Sequence, residues 1–192
     1  MYEITLDTET TGLPITLDED GYPDHTINAF YNKSRIVQIA WIITENNKLI
    51  SGFNYYIKPD NWIIENTHIH GITQQKCIED GILITDVFKI LNESINKCKR
   101  IIGHNIKFDI AIIKNELYRV QMTENIKALD NLEIVDTMYL SMIIFKLEYR
   151  PRLIELYEKI FNMKFPAHNA LYDILACNQC FQRMLFGMDL IV

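Results

Sequence analysis

Tyr2-Glu-Ile-Thr-Leu-Asp7-Thr-Glu9-Thr-Thr-Gly12 stands near the start of the chain, and its reading decides the fold. Tyr2 to Leu6 alternates as a half-buried strand does, and the pattern ends at Asp7. Asp7 and Glu9 are two residues apart, so on an extended strand end both point to one side. Thr10 to Pro14 reads as a turn. Alone, an Asp-x-Glu pair is a weak signal, because a solvated acidic strand end explains it too.

The remaining elements follow from periodicity. Arg35 to Ile43 is rich in β-branched residues and reads as a buried strand. Glu45-Asn-Asn-Lys48 is a hairpin turn and Ser51 to Lys58 the returning strand. Two short helical pieces are expected within 61–80, interrupted at His70-Gly71. Thr85 reads as the N-cap of a helix with Val87, Leu91, Ser94 and Cys98 on one face. Arg100 to Gly103 is a short central strand, and Ile106, Ile110, Ile113 and Leu117 form a helical face after it. Glu133 to Val135 is a last strand, followed by helices over 136–145, 152–162 and about 169–186. Three early strands, then helices, strand, helix, strand and helices fit a mixed α/β layer fold with a central sheet. Residues 14–34 are polar and carry Asp18, Glu19, Asp20 and Asp24, so they are expected to be an insertion loop, functional or mobile. The expected organisation is a single domain over 1–187 with that loop, and a C-terminal tail over 188–192.

The net charge of -6 argues against a large basic surface. It does not argue against nucleic acid, since work on a strand end needs few phosphate contacts. No apolar run reaches the roughly 18 residues a membrane span needs, and strand-like sequence begins at once with no leader pattern. A reducing cytosolic or nuclear-type compartment is expected, with no membrane partner. Cys177-x-x-Cys180 continues a helical stripe from Asp173, and it reads as two buried thiols rather than a zinc or redox motif.

Two more acidic motifs follow in order: Asn105-Ile-Lys-Phe-Asp109 at a helix start and His168-Asn-Ala-Leu-Tyr-Asp173 near the C-terminus. Four carboxylates in one pocket would drive some of their number neutral unless divalent cations relieve the repulsion. Carboxylate oxygens suit magnesium or manganese, and two-metal carboxylate sites cleave phosphodiesters. The residues therefore read as a metal-dependent nuclease. His168, with an ordinary pKa of about 6.5, suits removing a proton from water. Each motif keeps an ordinary alternative: Asp109 as a first-turn acid, Phe108 as core rather than a stacking surface, His168 as a helix-entry residue. His25, His68, His70 and His104 read as structural or surface residues, and Asp136 as a helix N-cap.

The ordered set Asp7-Thr-Glu9-Thr-Thr-Gly12, His104-Asn105-x-x-Phe108-Asp109 and His168-x-Ala170-x-x-Asp173 resembles the DEDDh 3′–5′ exonucleases. That group contains the proofreading epsilon subunit, RNase T, oligoribonuclease and the TREX-type enzymes. Arg35-Ile-Val-Gln38, Ile69-His70-Gly71-Ile72-Thr73 and Val135-Asp136-Thr137 support the likeness, which covers residues 1–187. The resemblance implies a ribonuclease-H-like fold, a mixed central sheet flanked by helices. It implies two Mg2+ or Mn2+ ions on Asp7, Glu9, Asp109 and Asp173, with His168 as general base. It implies contacts to the terminal nucleotide from Thr10, Thr11 and Leu13, with Asn105, Phe108 and Ile69 as further candidates. In the related tyrosine subgroup a tyrosine stands where this chain has Asn169, so Tyr172 does not move the chain there. The implied reaction releases nucleoside 5′-monophosphates from single-stranded DNA or RNA 3′ ends. The 14–34 stretch is longer than in compact members and is expected to limit access by duplex or long strands. The competing readings are a non-catalytic nucleic-acid-binding or partner-docking module on the same fold, and a small-molecule phosphoesterase. DNA against RNA, a homodimer, and a polymerase or repair partner stay open.

Overall fold

A computed structural model describes residues 1–15, 21–166 and 169–187. Five strands form one sheet in the order β3-β2-β1-β4-β5. They are β1 (Tyr2–Thr10), β2 (Ile36–Glu45), β3 (Lys48–Tyr56), β4 (Arg100–Gly103) and β5 (Glu133–Asp136). β1, β2 and β3 run antiparallel, whereas β4 is parallel to β1 and β5 parallel to β4. The acid-bearing strand is therefore the middle of a mixed sheet. β1 is longer than its alternation foretells, because β2 pairs with it as far as Thr10, which faces Ile36. Asn46 and Asn47 close the β2–β3 hairpin with φ of 49° and 63°. Two left-handed residues make the tight turn whose twist matches the flanking strands.

The helices are α1 (Thr67–His70), α2 (Gln74–Asp80), α3 (Ile84–Ile95), α4 (Ile106–Arg119), α5 (Glu124–Asp130), α6 (Thr137–Phe145), α7 (Leu153–Phe161) and α8 (Ala170–Phe186). On one face of the sheet, Ile4, Leu6, Ile39 and Trp41 pack with Val87, Phe88 and Leu91 of α3 and Ile106, Ile110 and Ile113 of α4. On the other, Ala40 and Ile42 meet Ala170 and Ile174 of α8, and Ile102 meets Cys177 and Phe181. The Cys177–Cys180 stripe is thus core, and all four cysteines are free and buried. No helix among the described residues is long and apolar enough to cross a membrane.

Two points depart from the sequence reading. Thr85 is not a cap: α3 begins at Ile84 with Leu83 at the cap position and no capping side chain. α5 has no counterpart in the sequence reading, being seven residues long and too short for a periodic pattern. The described part of the 14–34 stretch, expected as a functional or mobile insertion loop, is packed against the rest of the chain. Tyr31 ends a 3₁₀ helix over Asn28–Tyr31, is fully buried, and donates its hydroxyl to the Pro23 carbonyl at 2.6 Å. Asn115 of α4 donates to the His25 carbonyl at 2.8 Å, and Arg119 to the Asn28 carbonyl at 2.7 Å. Polar composition hid this anchoring because one large aromatic carries the burial and backbone carbonyls carry the polar contacts. Residues 16–20, with Asp18, Glu19 and Asp20, and the 188–192 tail lie outside the described residues.

Gly12 marks where the chain leaves β1. A β-carbon there would stand 2.8 Å from the Lys33 carbonyl oxygen, so only glycine lets the two backbones approach.

Candidate active site

Strand alternation sends the residues of β1 to opposite faces. Thr5 faces α8, accepting from Asn178 Nδ2 at 2.7 Å, and Asp7 and Glu9 follow it on that side. α8 starts where Asn169 Oδ1 accepts the Leu171 N–H at 3.1 Å. Asp173 stands one turn in, and its Oδ2 takes the Asn169 N–H at 3.0 Å. Ala170 and Ala176 are small and buried, which lets α8 lie close to the sheet. One carboxylate oxygen each from Asp7, Glu9 and Asp173 consequently fall within 4.8 Å of one another.

Asp109 arrives from the other side. Thr8, between the two β1 acids, points toward α4, and both its N–H and its hydroxyl donate to Asp109 Oδ1, at 2.9 and 2.6 Å. Asp109 is buried, and its charge acts on Asp7. Burial raises the Asp7 carboxyl well above the usual carboxylate range, and the charges of Asp109, Asp173 and Glu9 push it further. Burial, with help from Asp173, lifts Glu9 to about 7. Burial also lifts Asp109 to about 7, outweighing the two Thr8 hydrogen bonds that hold it down. Among the described residues, no positive charge is among the influences on these three groups. Close, desolvated, uncompensated carboxylates of this kind fit divalent cations, whose hard oxygen preference and charge offset both penalties.

Asp7, Glu9 and Asp173 open into a cleft of about 420 Å³, lined also by Thr8, His104, Arg152, Leu153 and Ile154.

Comparison with known proteins bears on this arrangement. The profile of the exonuclease family RNase_T matches residues 4–181. The chain belongs to that family. It is 35% identical over 146 residues to the DNA polymerase III subunit epsilon of Rickettsia conorii, covering 74% of this chain and 55% of that protein. It is 28% identical over 163 residues to the 3′-5′ exonuclease DinG of Bacillus subtilis, covering 82% of this chain and 15% of that protein. The chain thus spans about half, or less, of the length of these relatives. Among solved structures, it is similar to a zinc-bound complex of E. coli exonuclease I with single-stranded DNA. The TM-score is 0.72 at 19% identity, over 97% of this chain and 41% of that one. A complex of exonuclease X with 5′-overhanging duplex DNA gives 0.60 at 21% identity, over 98% of this chain and 95% of that one. At such identities what is shared is the ribonuclease-H-like fold.

In this member of the exonuclease family the other residues singled out from the sequence are distributed as follows. His168 lies outside the described residues. Asn105 occupies the N-cap position of α4, but in a left-handed conformation with φ of 64° and no capping side-chain bond. Its N–H goes instead to Asp136 Oδ1 at 2.9 Å, and that oxygen also accepts the Met138 N–H at 3.0 Å. Asp136 is therefore the N-cap of α6, as expected. Phe108 is half-buried and packs against the α3–α4 core. Thr10 donates its hydroxyl to the Gly12 carbonyl at 2.8 Å. Thr11 is buried, donating to the Lys33 carbonyl at 3.0 Å and accepting the Arg35 N–H at 2.9 Å, so its side chain ties the turn to β2. Leu13 and Ile69 are exposed, at 74% and 54%.

Sequence reasoning missed Thr8, the Arg152–Ile154 wall and the part played by His104. Thr8 was legible: between two acids on a strand, it must face the opposite layer. His104 braces the cleft, with Nδ1 3.0 Å from Thr137 Oγ1 and Nε2 2.8 Å from the Pro151 carbonyl. Burial holds its pKa below the usual histidine value.

Proposed function

We propose that this chain is a metal-dependent 3′–5′ exonuclease that removes nucleoside 5′-monophosphates from single-stranded ends. The observation that carries the reading is the convergence of Asp7, Glu9 and Asp173 oxygens within 4.8 Å, in a family of exonucleases. Asp7, Glu9, Asp109 and Asp173 would hold two Mg2+ or Mn2+ ions. Bound there, the cations supply a more acidic water and take up charge on the departing oxygen.

The protein's own residues do the rest. Thr8 fixes the carboxylate of Asp109, and the Asn169 N–H fixes that of Asp173, so ligand oxygens are oriented before any ion arrives. His168, directly before the Asn169 cap, is the proposed general base that takes the proton of the attacking water. Thr10, Leu13, Ile69, Asn105 and Phe108 are the proposed contacts to the terminal nucleotide, with the exposed Leu13 as a wedge against its base. Thr11 holds the turn on which Leu13 stands.

The substrate reading draws on the neighbours: one solved relative holds single-stranded DNA and another an overhanging duplex. DNA ends are therefore the first substrates to try, with RNA beside them. Several relatives are named as polymerase subunits, which makes a cytoplasmic replication or repair polymerase the proposed partner.

The test compares wild type with Asp7→Ala on 5′-labelled single strands, recessed duplex ends and RNA, with Mg2+, Mn2+ or chelator. A metal-dependent ladder shortening from the 3′ end, absent in Asp7→Ala, is expected. A folded wild type that binds strands but never shortens them defeats the reading.

A further inference from the structure

The packed part of residues 21–34 delivers one side chain to the site that the sequence reading had left unassigned. Tyr22 lies edge-on to Phe108, with ring centroids 6.0 Å apart and planes at 62°. Its hydroxyl is hydrogen-bonded to the Asn105 side chain and within electrostatic reach of Asp109, Tyr139 and Asp136. The left-handed backbone of Asn105 explains this: its side chain does not cap α4 and is left for Tyr22.

A second tyrosine stands on the same side. Tyr139 of α6 is half-buried and has two cations near its ring, one from α4 and one from the loop between α6 and α7. Lys107 Nζ lies 5.7 Å from the ring centroid and the Arg150 guanidinium 5.5 Å. Lys107 also lines, with Tyr22, His25, Lys114 and Ile134, a groove of about 230 Å³ between α4 and the packed segment. In a chain of net charge -6, this puts cations and aromatic rings together beside the start of α4, the helix that presents Asp109.

Aromatic rings offer faces to unpaired bases without regard to sequence, and lysine or arginine beside them neutralises the phosphates between. A duplex keeps its base faces stacked on one another, so it has none to offer. Resting on the exonuclease reading above, we infer that Tyr22, backed by Phe108, and Tyr139, with Lys107 and Arg150, hold the unpaired nucleotides just upstream of the terminal one. The packed segment is then a wall of the strand path rather than a barrier across it. Asn105 acts as a positioning residue for Tyr22.

The test is the length dependence of turnover for Tyr139→Ala and Lys107→Ala. Each variant is assayed on a dinucleotide, which reaches little beyond the metal centre, and on a single strand of about ten nucleotides. The ratio of kcat/KM on the long strand to that on the dinucleotide is expected to fall about tenfold, through KM. A merely structural role lowers both substrates together and leaves the ratio unchanged, which overturns the inference. Fluorescence anisotropy with a labelled oligothymidylate in calcium separates this from failure of the function reading. If wild type turns over nothing yet binds the strand about tenfold more tightly than both variants, the track stands and the exonuclease does not. Equal affinities, or no binding by wild type, overturn the track.

Discussion

Two sets of buried carboxylates in this molecule meet opposite treatment. Glu116 of α4 is fully buried and gripped by Arg35, with Nε 2.6 Å from Oε1 and Nη2 3.1 Å from Oε2. Glu3, at the other end of β1 from Glu9, meets Arg100 at 2.7 Å. Asp7 feels the charges of Asp109, Asp173 and Glu9, and among the described residues no cation acts on Asp7, Glu9 or Asp109. The contrast teaches where the fold is self-sufficient and where it waits for something positive. A buried charge is tolerable only when paired. The first set is paired by arginines that also tie α4 to β2 and β1 to β4; the second has no such partner among the described residues, which supports the proposal that it takes ions from solution.

Breaking the unpaired set should give the largest effect. Asp7→Asn keeps the shape and removes one charge, and it should lower metal-supported turnover by about a thousandfold or more. The same variant should melt at a higher temperature than wild type in chelator, because a repulsive charge is gone. A lower melting temperature there would mean that Asp7 is compensated within the protein. The mirror experiment is Glu116→Gln, which strands Arg35 in a site where its side chain is 19% exposed. Denaturant titration should show a loss of about 3 kcal/mol or more, with or without metal.

The pH dependence sharpens the comparison further. Glu9 and Asp109 rise in the folded protein from ordinary values of 4.5 and 3.8 to about 7 each. A raised carboxylate binds its proton more tightly when folded, so its contribution is complete below the unfolded pKa. It is lost as pH climbs through the folded value. In chelator, stability should therefore decline between about pH 4 and pH 7 on account of these groups, and saturating Mg2+ should flatten that decline. Equal slopes with and without Mg2+ would show that the ions do not bind these oxygens. The smallest effect belongs to Glu133, which also reaches Arg100, at 3.0 Å, but is 59% exposed. Glu133→Ala should move stability by no more than about 0.5 kcal/mol, since water already screens the pair.

Much of this was open to a reader of the sequence alone, because it depends on neighbours along the chain. Alternation places Asp7 and Glu9 on one side of β1, a helical stripe buries Cys177 and Cys180, and Asp136 caps α6. Local patterns also misled. The polar average of 14–34 gives no sign of the single Tyr31 in the core that holds the described part of the stretch down. Residue type alone favours Asn105 as a cap, yet it has a left-handed φ, and its side chain bonds Tyr22 instead.

What the sequence by itself determined is the order of the strands and the longer helices and the placing of Asp7 and Glu9 on one side of β1, since period and spacing are properties of adjacent residues. Only the tertiary structure decided that Thr8 would hold Asp109 from 101 residues away and that His104 would brace the cleft through Pro151. It alone decided that Tyr22 would reach the start of α4. Those contacts join segments far apart in the chain. They exist because closing the sheet between two helical layers buries enough apolar surface to bring them together.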